Sequence, residues 1–217
     1  MSPSPDLRYA RSRISLLLAA AGMALFVGIA IGIHPLRPDL HWLDAQMSRY
    51  LLQPYGGWLQ LAYCALAIAI VTIAFAVQAA LAPSARSGGP TLLFVAGAAS
   101  LVVTAFAPMD ADGADPTFVG WVHGLSAQAA FLCVTVAMLV QSAWLRHDVR
   151  WRTRMPLALA IAMAAFAGLW TLVLVDDLPR GAAQKAVIAV IVLWLLVIWS
   201  GLLADRRGHR RLPGGTP

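Results

Sequence analysis

Hydrophobic positions in this chain run together rather than alternate. Nearly uninterrupted apolar stretches occupy about 14–33, 58–81, 90–107, 118–145, 156–175 and 182–203. About 20 apolar residues in a helix cover the hydrocarbon thickness of a bilayer, and a helix satisfies its own backbone polar groups there. The pattern therefore predicts an all-α fold, a polytopic membrane bundle of six transmembrane helices. A single integral membrane domain over 1–217 is expected, ending in a basic tail at 204–217.

The longest polar interruption follows the first run. Asp39 is a candidate N-cap, and Leu40, Leu43, Met47, Tyr50 and Leu51 recur at helical spacing, with Asp44, Ser48 and Arg49 between them. With Trp42 and Tyr50 present, this predicts a short helix lying in the membrane interface, broken by Pro54-Tyr55-Gly56-Gly57. The first run follows a basic lead, as in a signal peptide, but it is longer than a signal core. It ends in His34-Pro35-Leu36-Arg37-Pro38 instead of a small-residue cleavage site, so it reads as a retained span.

Composition sharpens the class. Hydrophobic residues make up 60% and charged residues 12%, about half the charged share of a soluble domain. The net charge of +6 does not point to nucleic acid, because the charges sit in loops and tails and form no basic stripe on a folded surface. They report orientation instead. Six spans put both termini on one side, with the Arg86 loop and the arginine-rich loop after the fourth run. That face carries twelve of the 16 Lys and Arg, and seven of the 10 acidic residues fall on the other. The positive-inside rule makes the basic face cytoplasmic, so a bacterial inner-membrane protein with both termini in the cytoplasm is expected. Cys64 and Cys133 lie inside apolar runs at different depths, which favours packing over a disulfide.

Candidate chemistry gathers around the stretch FAPMDADGADPTFVGWVHGLSAQ, 106–128, a hairpin with Asp110, Asp112 and Asp115. His123 lies about five residues into the fourth run, with Ser126 one turn deeper and Gln128 nearby. Gln184 and Lys185 stand at a similar depth in the sixth run. Asp110 stands above Thr104 and Ser100 at the end of the third, and Asp177 lies in the last outer loop. Ionisable groups at membrane depth are costly unless paired or facing water, so they mark sites by default. Asp110, His123 and Lys185, with Ser126, Gln184 and Asp177 around them, are the expected outward-facing polar site. Asp110 would be an acid, base or ligand, His123 a base or metal ligand and Lys185 an anion hook. The architectural alternative pairs Asp110 with Lys185 and lets His123 hydrogen-bond across helices.

A catalytic zinc would take three protein ligands. His123 and Asp110 are candidates, with His34, His41 or Asp177 as a third, but neither HxxxH nor HExxH spacing is present. Haem would want histidines facing each other within the membrane, and only His123 lies clearly inside a span. No cofactor is therefore expected. Gly120 and Gly124 form a GxxxG step, and Gly97, Ser100 and Thr104 a small-residue face. These predict close packing of the third and fourth helices. Trp194, deep in the sixth run, needs a partner for its N–H.

Three short patterns carry a family resemblance. Phe106-Ala107-Pro108-Met109-Asp110 resembles a Phe-Pro-x-Asp signature with one residue inserted, and Val122-His123-Gly124-Leu125 a His-Gly signature. Gly181-Ala182-Ala183-Gln184-Lys185, followed by Trp194, resembles Gly-x-x-Gln/Glu-Arg…Trp, with Lys in place of Arg. Together they resemble the bacterial family catalogued as domain of unknown function 998. The resemblance implies a six-helix integral membrane fold and brings no activity with it. The expected function is a bundle that binds or moves a lipid headgroup or small polar ligand, with membrane lipids as its partners. An intramembrane metal-dependent lipid hydrolase and a non-catalytic subunit of a membrane complex are the alternatives.

Overall fold

In a computed structural model of the chain, residues 5–111 and 113–210 are described, with side chains from Arg13 through Arg207. Asp112 and Arg211 lie outside the described residues, as do the side chains of Arg8, Arg11 and Arg210. Six helices follow in order: α1 Pro5–Gly32, α2 Gly56–Ala80, α3 Gly88–Phe106, α4 Phe118–Trp144, α5 Met155–Leu174 and α6 Arg180–Arg210. Each contains a stretch long and apolar enough to cross a membrane. The protein is a multi-pass membrane protein.

Two helices exceed their apolar runs. The first begins at Pro5 instead of 14, and the last continues through much of the expected tail to Arg210. Each extension carries three Arg, a good helix former, so the helix continues beyond the apolar run.

Neighbours in sequence are neighbours in space, and α6 returns to pack on α2 and α1. The centre is α2, with 56% of its spanning stretch buried, against 28% in α1 and 22% in α5. Thus α1 and α6 meet only slightly at the rim.

The expected short helix after the first span is present as a 3-10 helix, confined to the second half of the stretch that begins at Asp39. Between α1 and α2 lie turns and one five-residue 3-10 helix, Met47–Leu51. The reason is competition for backbone groups. An α-helix here would need the carbonyls of Trp42, Leu43 and Ala45 and the N–H of Met47 for its own ladder. Instead, Leu43 O accepts from Ala182 N at 2.7 Å, and Trp42 O and Ala45 O accept from Lys185 Nζ. Met47 N donates to Gln184 Oε1 at 2.8 Å. Nor does Asp39 cap a helix. It takes the Arg37 guanidinium at 2.7 Å, while that same guanidinium donates to Leu52 O at 3.0 Å.

At the arginine-rich end, the buried Asp148 carboxylate accepts from Ala82 N and Arg150 N, both at 2.8 Å. Arg150 also reaches Asp205 at 2.8 Å and Ala80 O at 2.6 Å. One ion-pair cluster thereby ties together the α2–α3 loop, the α4–α5 loop and the extension of α6.

Candidate functional site

The polar residues expected in one site form two clusters rather than one. The first locks α3 to α4. Pro108 cannot continue α3, which ends at Phe106 and leaves the Ala107 carbonyl outside the helical ladder. His123, buried on α4, donates from Nδ1 to that carbonyl at 2.6 Å. Nε2 then serves as the ring's acceptor when the ring is neutral. In return, Asp110 accepts from Thr117 Oγ1 at 2.6 Å and Thr117 N at 3.0 Å, and Thr117 Oγ1 caps Gly120 N at 3.0 Å. Each helix end is thus satisfied by a residue of the other. Hydrogen bonds from Thr117 hold the Asp110 carboxyl below its ordinary range, with the charge of His123 adding to the effect. One turn deeper, Ser126 and Thr104 meet at 2.9 Å.

The glycine step is redistributed. A Cβ on Gly120 would collide with the Asp110 carboxylate, while Gly124 faces open space. Close approach of α3 to α4 falls instead at Gly97, where a Cβ would lie 2.7 Å from Val134 Cγ2.

The second cluster is the dock of the α1–α2 loop on α6. A Cβ on Gly181 would lie 2.5 Å from Ala45 O and 2.7 Å from Leu43 O, so only glycine lets the loop sit there. Lys185 does not pair with Asp110. Its Nζ donates to Trp42 O and, at 2.9 Å, to Ala45 O, and lies 5.4 Å above the Tyr50 ring. His34 packs against the same ring, centroid to centroid at 4.8 Å. Burial first, then the Lys185 charge, lowers the pKa of His34. Asp177 is exposed in the α5–α6 loop, outside both clusters. A small interior cavity of about 70 Å³ joins the two, lined by Thr104 on one side and Gln184 on the other, with room for a few waters. Deeper still, Trp194 Nε1 donates to Ser142 Oγ at 2.9 Å, the partner its N–H needs, and its ring packs on Phe94.

Beside the second cluster, α1 and α6 part to leave a groove of about 900 Å³. His34, His41 and Lys185 stand at its mouth, and Phe26, Ile31, Ile188, Leu193 and Leu196 line it below. No three His, Cys, Asp or Glu side chains gather as metal ligands among the described residues.

The family described as Protein of unknown function (DUF998) matches residues 16–200. The chain belongs to this family. No curated protein and no solved structure matches it. In this DUF998 protein the three signature patterns fall on the locks just described. Asp110 and His123 exchange caps, Gly181, Gln184 and Lys185 seat the loop, and Trp194 bridges to α4. Sequence reasoning missed Arg37 and Tyr50, the latter fully buried against His34 and Lys185. The available signal was Arg37 itself, one of four basic residues on the face to which seven of the acidic residues were assigned.

Proposed function

We propose that the groove between α1 and α6 binds a membrane lipid with an anionic headgroup, entering sideways from the outer leaflet. One observation carries this reading: the groove is one leaflet deep, with a cation at the top and apolar walls below. From Lys185 to Leu196 the helix rises about 16 Å, close to half of the hydrocarbon thickness. The ammonium has three donors, and the loop carbonyls take two, which leaves one for a phosphate oxygen. Arg37 is committed to Asp39 and the Leu52 carbonyl, so its part is to shape the mouth.

The test is lipid analysis of the gently purified protein beside Ala189→Trp. Ala189 is exposed and lines the groove, so an indole there fills the acyl slot without entering the core. The wild type should retain a stoichiometric anionic lipid that the variant loses, with thermal stability unchanged. Equal retention by both proteins, or a lipid mixture matching the host membrane, would sink the proposal.

A further inference from the structure

The seam between α1 and α6 has a second end. At the arginine-rich side, Arg13 of α1 and Arg206 and Arg207 of α6 converge on a groove of about 320 Å³, walled by Leu17, Trp199 and Leu203. We propose that this is a second lipid site, in which the three guanidiniums hold the phosphate of an anionic phospholipid from the opposite leaflet.

Position comes first. The apolar run of α1 begins at Ile14, directly after Arg13, and that of α6 ends at Leu203, about one turn before Arg206 and Arg207, so the three charges stand at the polar ends of the two runs. The groove is also built. Trp199 Nε1 donates to Leu16 O at 2.9 Å, which pins α6 to α1 and fixes the indole as part of the wall. Charge is the third argument. Arg13 and Arg206 are near enough to oppose each other's charge, and a phosphate between them converts that repulsion into attraction. Guanidinium forks match phosphate oxygens in pairs.

Orientation alone does not ask for this arrangement. Basic residues anywhere in the flanking loops set topology, whereas here two helices bring three arginines to one apolar-walled groove. The occupant is a phospholipid rather than a soluble phosphate because the groove pairs its cations with exposed leucine at membrane depth. Leu17 is 59% exposed.

The experiment uses the full chain in nanodiscs of phosphatidylcholine with added phosphatidylglycerol, and native mass spectrometry counts retained lipid. Changing one arginine to Gln should weaken phosphatidylglycerol retention about fivefold, and changing all three on the order of a hundredfold. Leu17→Trp, which fills the groove and keeps every charge, should lower retention as well. It also serves if the triple variant does not fold. Ala189→Trp, at the far end of the seam, should leave this site intact, so the two sites fail separately. The proposal is overturned if phosphatidylcholine is retained as well as phosphatidylglycerol, or if Leu17→Trp retains as much as the wild type. Displacement of the lipid by glycerol 1-phosphate would make a free phosphate the ligand and overturn it too.

Discussion

Gly181 shows what a single residue controls here. Its missing side chain lets α6 touch the backbone of the α1–α2 loop, and the neighbouring Gln184 and Lys185 then take the loop's polar groups. Gly181→Ala places a methyl 2.5 Å from the Ala45 carbonyl, so the loop must shift. The expected cost is about 1–3 kcal/mol, with faster proteolysis between residues 40 and 52. Thermal unfolding and limited proteolysis in the same detergent check both. That Gln184 and Lys185 matter was readable from their depth in an apolar run. Their partners were not readable, because these are main-chain groups of a loop more than a hundred residues away, and the sequence carries no mark for a captured carbonyl. Asp110 and His123 were read either as chemistry or as an interhelical contact, and they cap each other's helices. Both uses begin from the same observation, an ionisable group at a helix end.

At the scale of elements, the six spans were legible because a bilayer admits so few alternatives. The extent of the short helix between α1 and α2 was not. Its apolar spacing is real, and Met47, Tyr50 and Leu51 are buried, but α6 takes the acceptors that an α-helix would need. Hydrophobic period predicts which side chains turn inward and says nothing about which backbone groups are taken from outside. The extension of α6 likewise depends on an unseen partner, Arg150, which receives Asp205. The same cluster gives a prediction. Burial alone would raise the Asp148 pKa, but hydrogen bonds from Ala82, Arg150 N and the Arg150 side chain outweigh it and hold the carboxyl below its ordinary value. A depressed carboxyl adds stability above its unfolded pKa and loses it as pH falls through the folded one. Asp148→Asn should therefore be less stable than wild type by about 2 kcal/mol at pH 7, and the gap should close below about pH 4. Denaturant unfolding at both pH values reads it, and a gap that widens in acid would contradict the account.

On the scale of the whole molecule, the bundle is tightly locked inside and open along one seam. The α3–α4 caps, the loop dock on α6 and the Asp148 cluster fix the helices. Grooves of about 900 and 320 Å³ open between α1 and α6, and each has its cations at one end. The measurement that bears most directly on the central claim is photo-crosslinking of lipid from within the bundle. A photoreactive residue replaces Leu193, which lines the large groove and is 48% exposed, or Ile68 on α2, which is 55% exposed. Mass spectrometry then identifies the lipid attached at each position. The account predicts an anionic headgroup enriched at Leu193 and lost with Lys185→Gln, while Ile68 reports the average membrane. The same lipid mixture at both positions would contradict it.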